Sequence, residues 1–273
     1  MNFFRLLKQA AQLWAHKEAE QQAAALAYFI PFALVPLLLI SITLVGVIIG
    51  QADVIALLLR WGGNIDPALP QFMSTSLTNF ESLTTSYTLP ILALAVFSIM
   101  ILFALNSFSS GLQHLWGSER HGLRNIIKRS FKSVLFVLLF QVYLVTTIIT
   151  NNILATASSA SGLAFFNILS PIIFFISTTI LIALSFGLLP LSAPSFRSRL
   201  YGAAVATVLF LFSRSLVSLH IATSPSPDIY GAAGLIFVLL IWLYISACII
   251  YYGAAFAYVY ENKNIIPTTN QSV

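Results

Sequence analysis

The chain has 273 residues, a formal net charge of +5 at pH 7, and a composition that is 59% hydrophobic and 8% charged. So few charged side chains cannot cover the surface of a water-soluble domain of this length, which excludes a soluble enzyme and leaves an integral membrane protein. The basic balance does not point to nucleic acid, because the Lys and Arg residues are divided among separate loops and form no aromatic-interleaved groove.

Residues 3–17 place Phe3, Leu6, Leu7, Ala10, Leu13 and Trp14 along one helical face, with Lys8, Gln12 and Glu18 elsewhere. That spacing predicts an amphipathic helix lying on the cytoplasmic membrane surface. The first 22 residues lack the apolar core and small-residue cleavage site of a removable signal, so the first span is expected to direct its own insertion.

Six apolar runs follow, at about 24–50, 89–111, 132–156, 168–190, 200–221 and 233–259. Each is near or above the roughly 20 residues that a helix needs to cross the hydrocarbon core. They are continuously apolar rather than alternating, which excludes a barrel. The expected fold is all-α: one polytopic domain over 1–273 with six transmembrane helices.

The first run contains Pro31 and Pro36. Each lacks a backbone donor, so this is the candidate helix break or gate, although ordinary membrane helices also tolerate proline. The connection 51–88 is the longest, and Leu69, Phe72, Met73, Leu77, Phe80 and Leu83 give it a helical stripe. It reads as a helical periplasmic or extracellular loop that either packs on the bundle or gates a cavity. The third and fourth runs are joined through the small-residue stretch 157–162, and Ser170 and Pro171 lie at the start of the fourth. A re-entrant pair is the alternative to two full spans there.

Pairs of small residues four apart occur at Gly46 and Gly50, Ser107 and Gly111, Gly202 and Ala206, and Gly253 and Ala257. They allow close helix approach, and their spacing does not separate internal packing from a homo-oligomer. Cys248 is the only cysteine, so no intrachain disulfide forms.

The basic residues orient the bundle. Of 13, 11 fall in four stretches: Arg5, Lys8 and Lys17; Arg120, Arg124, Lys128, Arg129 and Lys132; Arg197 and Arg199; and Lys263. The alternate connections carry only Arg60. Lys and Arg near span ends stay inside, so both termini are expected in the cytoplasm of a bacterial inner membrane. The last basic residue, Arg214, lies inside the fifth run, about 18 Å along the helix from Gly202 at 1.5 Å per residue.

Several segments resemble the BrkB/YihY family of bacterial inner-membrane proteins. They are Ala23-Ala24-Ala25-Leu26-Ala27-Tyr28 with Pro36-Leu37-Leu38, and Gly111-Leu112-Gln113-His114-Leu115-Trp116. Leu189-Pro190, Arg197 and Tyr201-Gly202-Ala203 follow, and then Ile229-Tyr230-Gly231-Ala232-Ala233-Gly234, Leu240-Ile241-Trp242-Leu243-Tyr244 and Gly253-Ala254. These blocks occur in family order over nearly the whole chain. Many members carry an acidic residue shortly after the glycine equivalent to Gly253, where this chain has Ala254 and Ala255. The resemblance implies a six-span protein whose relatives have been labelled serum-resistance factor, ribonuclease or transporter.

The residues speak against the ribonuclease label. Phosphodiester hydrolysis wants clustered carboxylates or histidines, with or without metal ions. The acids Glu18, Glu20, Asp53, Asp66, Glu81, Glu119, Asp228 and Glu261 are scattered, and His114 and His121 are seven apart with no third ligand. No catalytic residue, metal site or cofactor is expected. Polar residues inside the runs are the remaining pointers: Gln141, Asn151 and Asn152 in the third, Asn106 in the second, and Arg214 in the fifth. They either hydrogen-bond between helices or line a wet cavity, and Arg214 either snorkels to the headgroups or holds an anionic group. The expected function is transport of a small solute, an anion or a lipid-like amphiphile, with membrane lipids as the surrounding partner. The alternative is an envelope scaffold that moves nothing.

Overall fold

The structure is a computed structural model that describes residues 3–49, 88–117, 123–161, 165–190, 192–223 and 231–263. These residues form seven helices and no strand: α1 (Phe3–His16), α2 (Ala19–Ile49), α3 (Thr88–Trp116), α4 (Leu123–Ser161), α5 (Phe165–Leu188), α6 (Phe196–Thr223) and α7 (Gly231–Glu261). The expected helical stripe within 51–88 lies outside the described residues.

Three helices among the described residues are long and apolar enough to cross a membrane. Their apolar stretches are Phe131–Thr150 in α4, Leu169–Leu188 in α5 and Leu240–Glu261 in α7. The stretches of α4 and α5 are each 20 residues long with a mean hydropathy of 2.2. That is a full crossing length for both. Ile172, Ile176 and Ile180 stand exposed at four-residue intervals along α5, and Phe131, Val134, Leu138 and Val142 stand exposed three or four residues apart along α4. An outward apolar row on one helical face suits lipid and not water.

The chain divides into two compact units. One comprises residues 1–30, 103–137 and 175–273, and the other residues 31–102 and 138–174. The division passes through α2 immediately before Pro31, while the helix itself runs on through Pro31 and Pro36.

The first unit has a closed core. Ala10, Leu112, Phe186, Leu189, Ala203, Tyr251, Ala254 and Ala255 are sealed from solvent within it. The apolar stripe of α1 belongs to this core and does not lie open for a membrane surface. Leu6 and Ala10 are buried, Leu7, Leu13 and Trp14 pack against the same cluster, and α1 lies against α7. Tyr252 of α7 donates a hydrogen bond to the Leu7 carbonyl at 3.0 Å, and the rings of Phe3 and Phe256 are 5.9 Å apart. The stripe therefore buries its area against protein, and only Phe3 and Phe4 at its start remain exposed.

Helix ends are closed by recognisable local chemistry. Between α1 and α2 the chain turns through Glu18, whose φ is 47°. Gln21 donates from both its backbone and its side chain back to Glu18, which holds that left-handed turn. At the end of α3, Gly117 has φ 65° and its amide bonds the His114 carbonyl, a glycine stop. The α5 helix ends at Leu188 because Pro190 cannot donate and disfavours helical geometry at Leu189.

Candidate functional site

The end of α5 gathers side chains from three other helices of the same unit. Its last carbonyls lack intrahelical donors. Ser109 of α3 donates to the Leu189 carbonyl at 2.8 Å, and Gln113, one turn on, donates to the Ser109 hydroxyl at 3.0 Å. Lys132 of α4 reaches the Pro190 carbonyl at 3.3 Å. From the first turn of α6, Arg199 lays its guanidinium over Gly187, in the volume that any side chain there would need. Cations at a helix C-terminus are favoured by the partial negative charge of its carbonyls.

Arg199 is half-buried, and its Nε has no hydrogen-bond partner among the described residues. Burial pushes its pKa down. A guanidinium remains charged all the same. The guanidinium carbon lies 5.6 Å from the centroid of the Phe196 ring.

The start of α6 is closed by the end of α7. The Glu261 carboxylate accepts hydrogen bonds from the Ser195 amide and from the hydroxyls of Ser195 and Ser198. An anion at a helix N-terminus meets orphan N–H groups and a favourable dipole, so the chain fills this anion position with its own side chain. Further along, Thr179 of α5 donates to Thr207 of α6 at 3.0 Å, and Thr207 donates to the Ala203 carbonyl. The Trp116 indole donates to the Ala254 carbonyl at 3.0 Å and packs edge-on against Phe186.

Two of the small-residue pairs face each other. A Cβ added at Gly202 would collide with the Gly253 carbonyl and with Ala257, and one added at Gly253 would collide with the Gly202 carbonyl and with Ala206. The Gly202–Ala206 and Gly253–Ala257 ridges are therefore used within the chain, to bring α6 and α7 into backbone contact.

The residues singled out in the sequence are distributed as follows. Gln141 is buried, at 7% exposure, and sits near the middle of the apolar stretch of α4. Asn106 is on α3 and exposed. Pro31 is on α2 and partly buried. Arg214 lies on α6, Asn151 and Asn152 on α4 and Pro36 on α2, and their side chains are outside the described ones. Among the described residues no three His, Cys, Asp or Glu side chains come together. Sequence reasoning passed over the cluster at the end of α5. Arg199 and Lys132 counted there only as loop charges that set topology, and no local pattern links Gly187 to Arg199 or Glu261 to Ser195.

Residues 10–272 match the model of a family described as virulence factor BrkB. The relatives carry the name UPF0761 membrane protein. The one in Alcanivorax borkumensis is 27% identical over 242 residues, 86% of this chain and 55% of its own length. One in Coxiella burnetii is 26% identical over 269 residues, 93% of this chain and 95% of its own. One in Psychromonas ingrahamii is 40% identical over 81 residues, 29% of this chain and 28% of its own. The chain thus spans about half the length of the Alcanivorax relative and nearly all of the Coxiella one. No solved structure matches the chain.

Proposed function

The chain belongs to the virulence factor BrkB family of membrane proteins, and on that premise we propose that it moves a small solute, an anion or a lipid-like amphiphile across the bacterial inner membrane. In this reading it has six spans and both termini in the cytoplasm, as the partition of Lys and Arg requires. Arg214 holds the anionic part of the cargo, since arginine stays charged and offers two parallel hydrogen bonds. Gln141, Asn151, Asn152 and Asn106 supply neutral polar contacts, and Pro31 and Pro36 loosen the first span. No residue acts as a catalyst, and the protein needs no cofactor.

The observation that carries this reading is Gln141. A primary amide at the middle of a 20-residue apolar stretch is turned away from the surface, and burying an amide in an apolar setting is favourable only where polar partners or water meet it. The scaffold alternative loses one support, because the Gly202–Ala206 and Gly253–Ala257 ridges are occupied inside the chain.

Thiol accessibility at position 141 separates the two readings. In a Cys248→Ala background, Gln141→Cys should react with a small water-soluble thiol reagent in intact vesicles. A thiol that stays inert there, while an exposed control such as Ser192→Cys reacts, would contradict a wet interior and favour the scaffold.

A further inference from the structure

The apolar stretch of α4 begins at Phe131 and that of α5 ends at Leu188. Lys132 bonds the Pro190 carbonyl, so these two boundaries lie at one level, where hydrocarbon gives way to water. Arg199 reaches the same helix end at Gly187. Gly187 and Pro190 are three positions apart, at most about 11 Å of chain. Two full positive charges therefore converge on a helix terminus that offers roughly half a negative charge. The half-buried guanidinium keeps a sealed Nε with no hydrogen-bond partner among the described residues. The Phe196 ring beside the Arg199 guanidinium is 58% exposed, and Phe131, next to Lys132 in sequence, is 74% exposed. Phenylalanine rings left exposed at the limit of an apolar stretch suit the upper acyl chains, and the basic side chains at the same level suit the headgroups.

We infer that Lys132 and Arg199, with Phe131 and Phe196 beside them, form a binding site for the phosphate of an anionic phospholipid headgroup. The Arg199 fork donates to two phosphate oxygens, and Lys132 adds a point charge. The two rings pack on the upper acyl chains, which a free phosphate does not have. Gly187 is the positioning residue: its missing side chain is what lets the guanidinium lie in this place. The site does not depend on transport, and a non-transporting protein could carry it.

The test is lipid binding by the purified full-length chain in detergent, read by native mass spectrometry with phosphatidylglycerol, phosphatidylcholine and inorganic phosphate as probes. The wild-type chain should retain phosphatidylglycerol over phosphatidylcholine. Arg199→Gln should weaken phosphatidylglycerol binding about fivefold, the usual effect of one basic residue near an anionic lipid. Arg197→Gln removes an exposed charge from the same helical turn, and because solvent and salt screen such a charge it should change binding less than about twofold. Gly187→Ala keeps every charge and pushes aside only the end of a flexible side chain. It should fold normally and lose binding about as much as Arg199→Gln, again about fivefold. Equal retention of the two lipids by the wild-type chain would overturn the proposal. So would an Arg197→Gln loss as large as that of Arg199→Gln, which marks diffuse surface charge. Inorganic phosphate displacing the lipid at equal concentration would overturn it in favour of a soluble-anion site.

Discussion

Replacing Gly253 with alanine should push α6 and α7 apart. The new Cβ would lie 2.7 Å from both the Gly202 carbonyl oxygen and the Ala206 Cβ. The optimum for a carbon pair is about 3.5–4.0 Å, so the helices must open by about 0.8 Å or more at that point. Both obstacles are backbone or a Cβ fixed to it, and neither can rotate away. Overpacking of this kind costs about 1–3 kcal/mol. Alanine's better helix propensity offsets up to about 1 kcal/mol of that, which leaves a net loss of about 0–2 kcal/mol. Gly253→Leu has no room for its remaining atoms and should lose more than about 3 kcal/mol, beyond the usual overpacking range. The assay is reversible unfolding of the purified chain in mixed micelles, followed by tryptophan fluorescence. Gly187→Ala is the control. Its obstacle is the mobile end of Arg199, which can swing aside, so the variant should be at least as stable as wild type, with up to about 1 kcal/mol gained from alanine's helix propensity. The reasoning is refuted if both Gly253 variants unfold like wild type, or if Gly187→Ala costs more than Gly253→Ala.

Trp116→Phe keeps the edge-on contact with Phe186 and loses the bond to the Ala254 carbonyl. It should cost about 1 kcal/mol in the same unfolding assay, and no loss would remove that bond from the account. Ser198→Ala and Glu261→Gln should each speed hydrogen exchange of amides 195–199, because Glu261 closes the start of α6; unchanged protection would show that the cap is idle. For topology, Ser76→Cys and Ser192→Cys in a Cys248→Ala background should be labelled from opposite sides of the membrane, and labelling from one side would sink the six-span arrangement.

Hydropathy located the helices well, because an apolar run long enough to cross lipid has little choice but helix. It marks where lipid is tolerated, however, and not where the helix stops. The run read as 132–156 sits inside α4, Leu123–Ser161, and the run 24–50 starts five residues after α2 does. The stripe on residues 3–17 announced an apolar face, which the spacing assigned to the membrane surface, whereas α7 covers it. Likewise Gly202–Ala206 and Gly253–Ala257 were legible as ridges, while their mutual contact was not. The bonds from Trp116 to Ala254 and from Ser195 to Glu261 join residues 138 and 66 apart. No local period encodes such pairings. Arg199 was hidden for a related reason. In sequence it is one more positive charge in a loop, and only the packing over Gly187 shows that it is half-buried.

The most direct measurement of the transport reading is flux in sealed vesicles containing the purified chain. Headgroup-labelled anionic phospholipid and small organic anions serve as cargo, with protein-free vesicles and Arg214→Gln vesicles alongside. The account predicts movement of at least one of these cargoes by the wild-type chain, and a fall to the protein-free level in Arg214→Gln despite normal insertion. Wild-type vesicles no faster than protein-free ones for every cargo, or an Arg214→Gln variant as active as wild type, would contradict it.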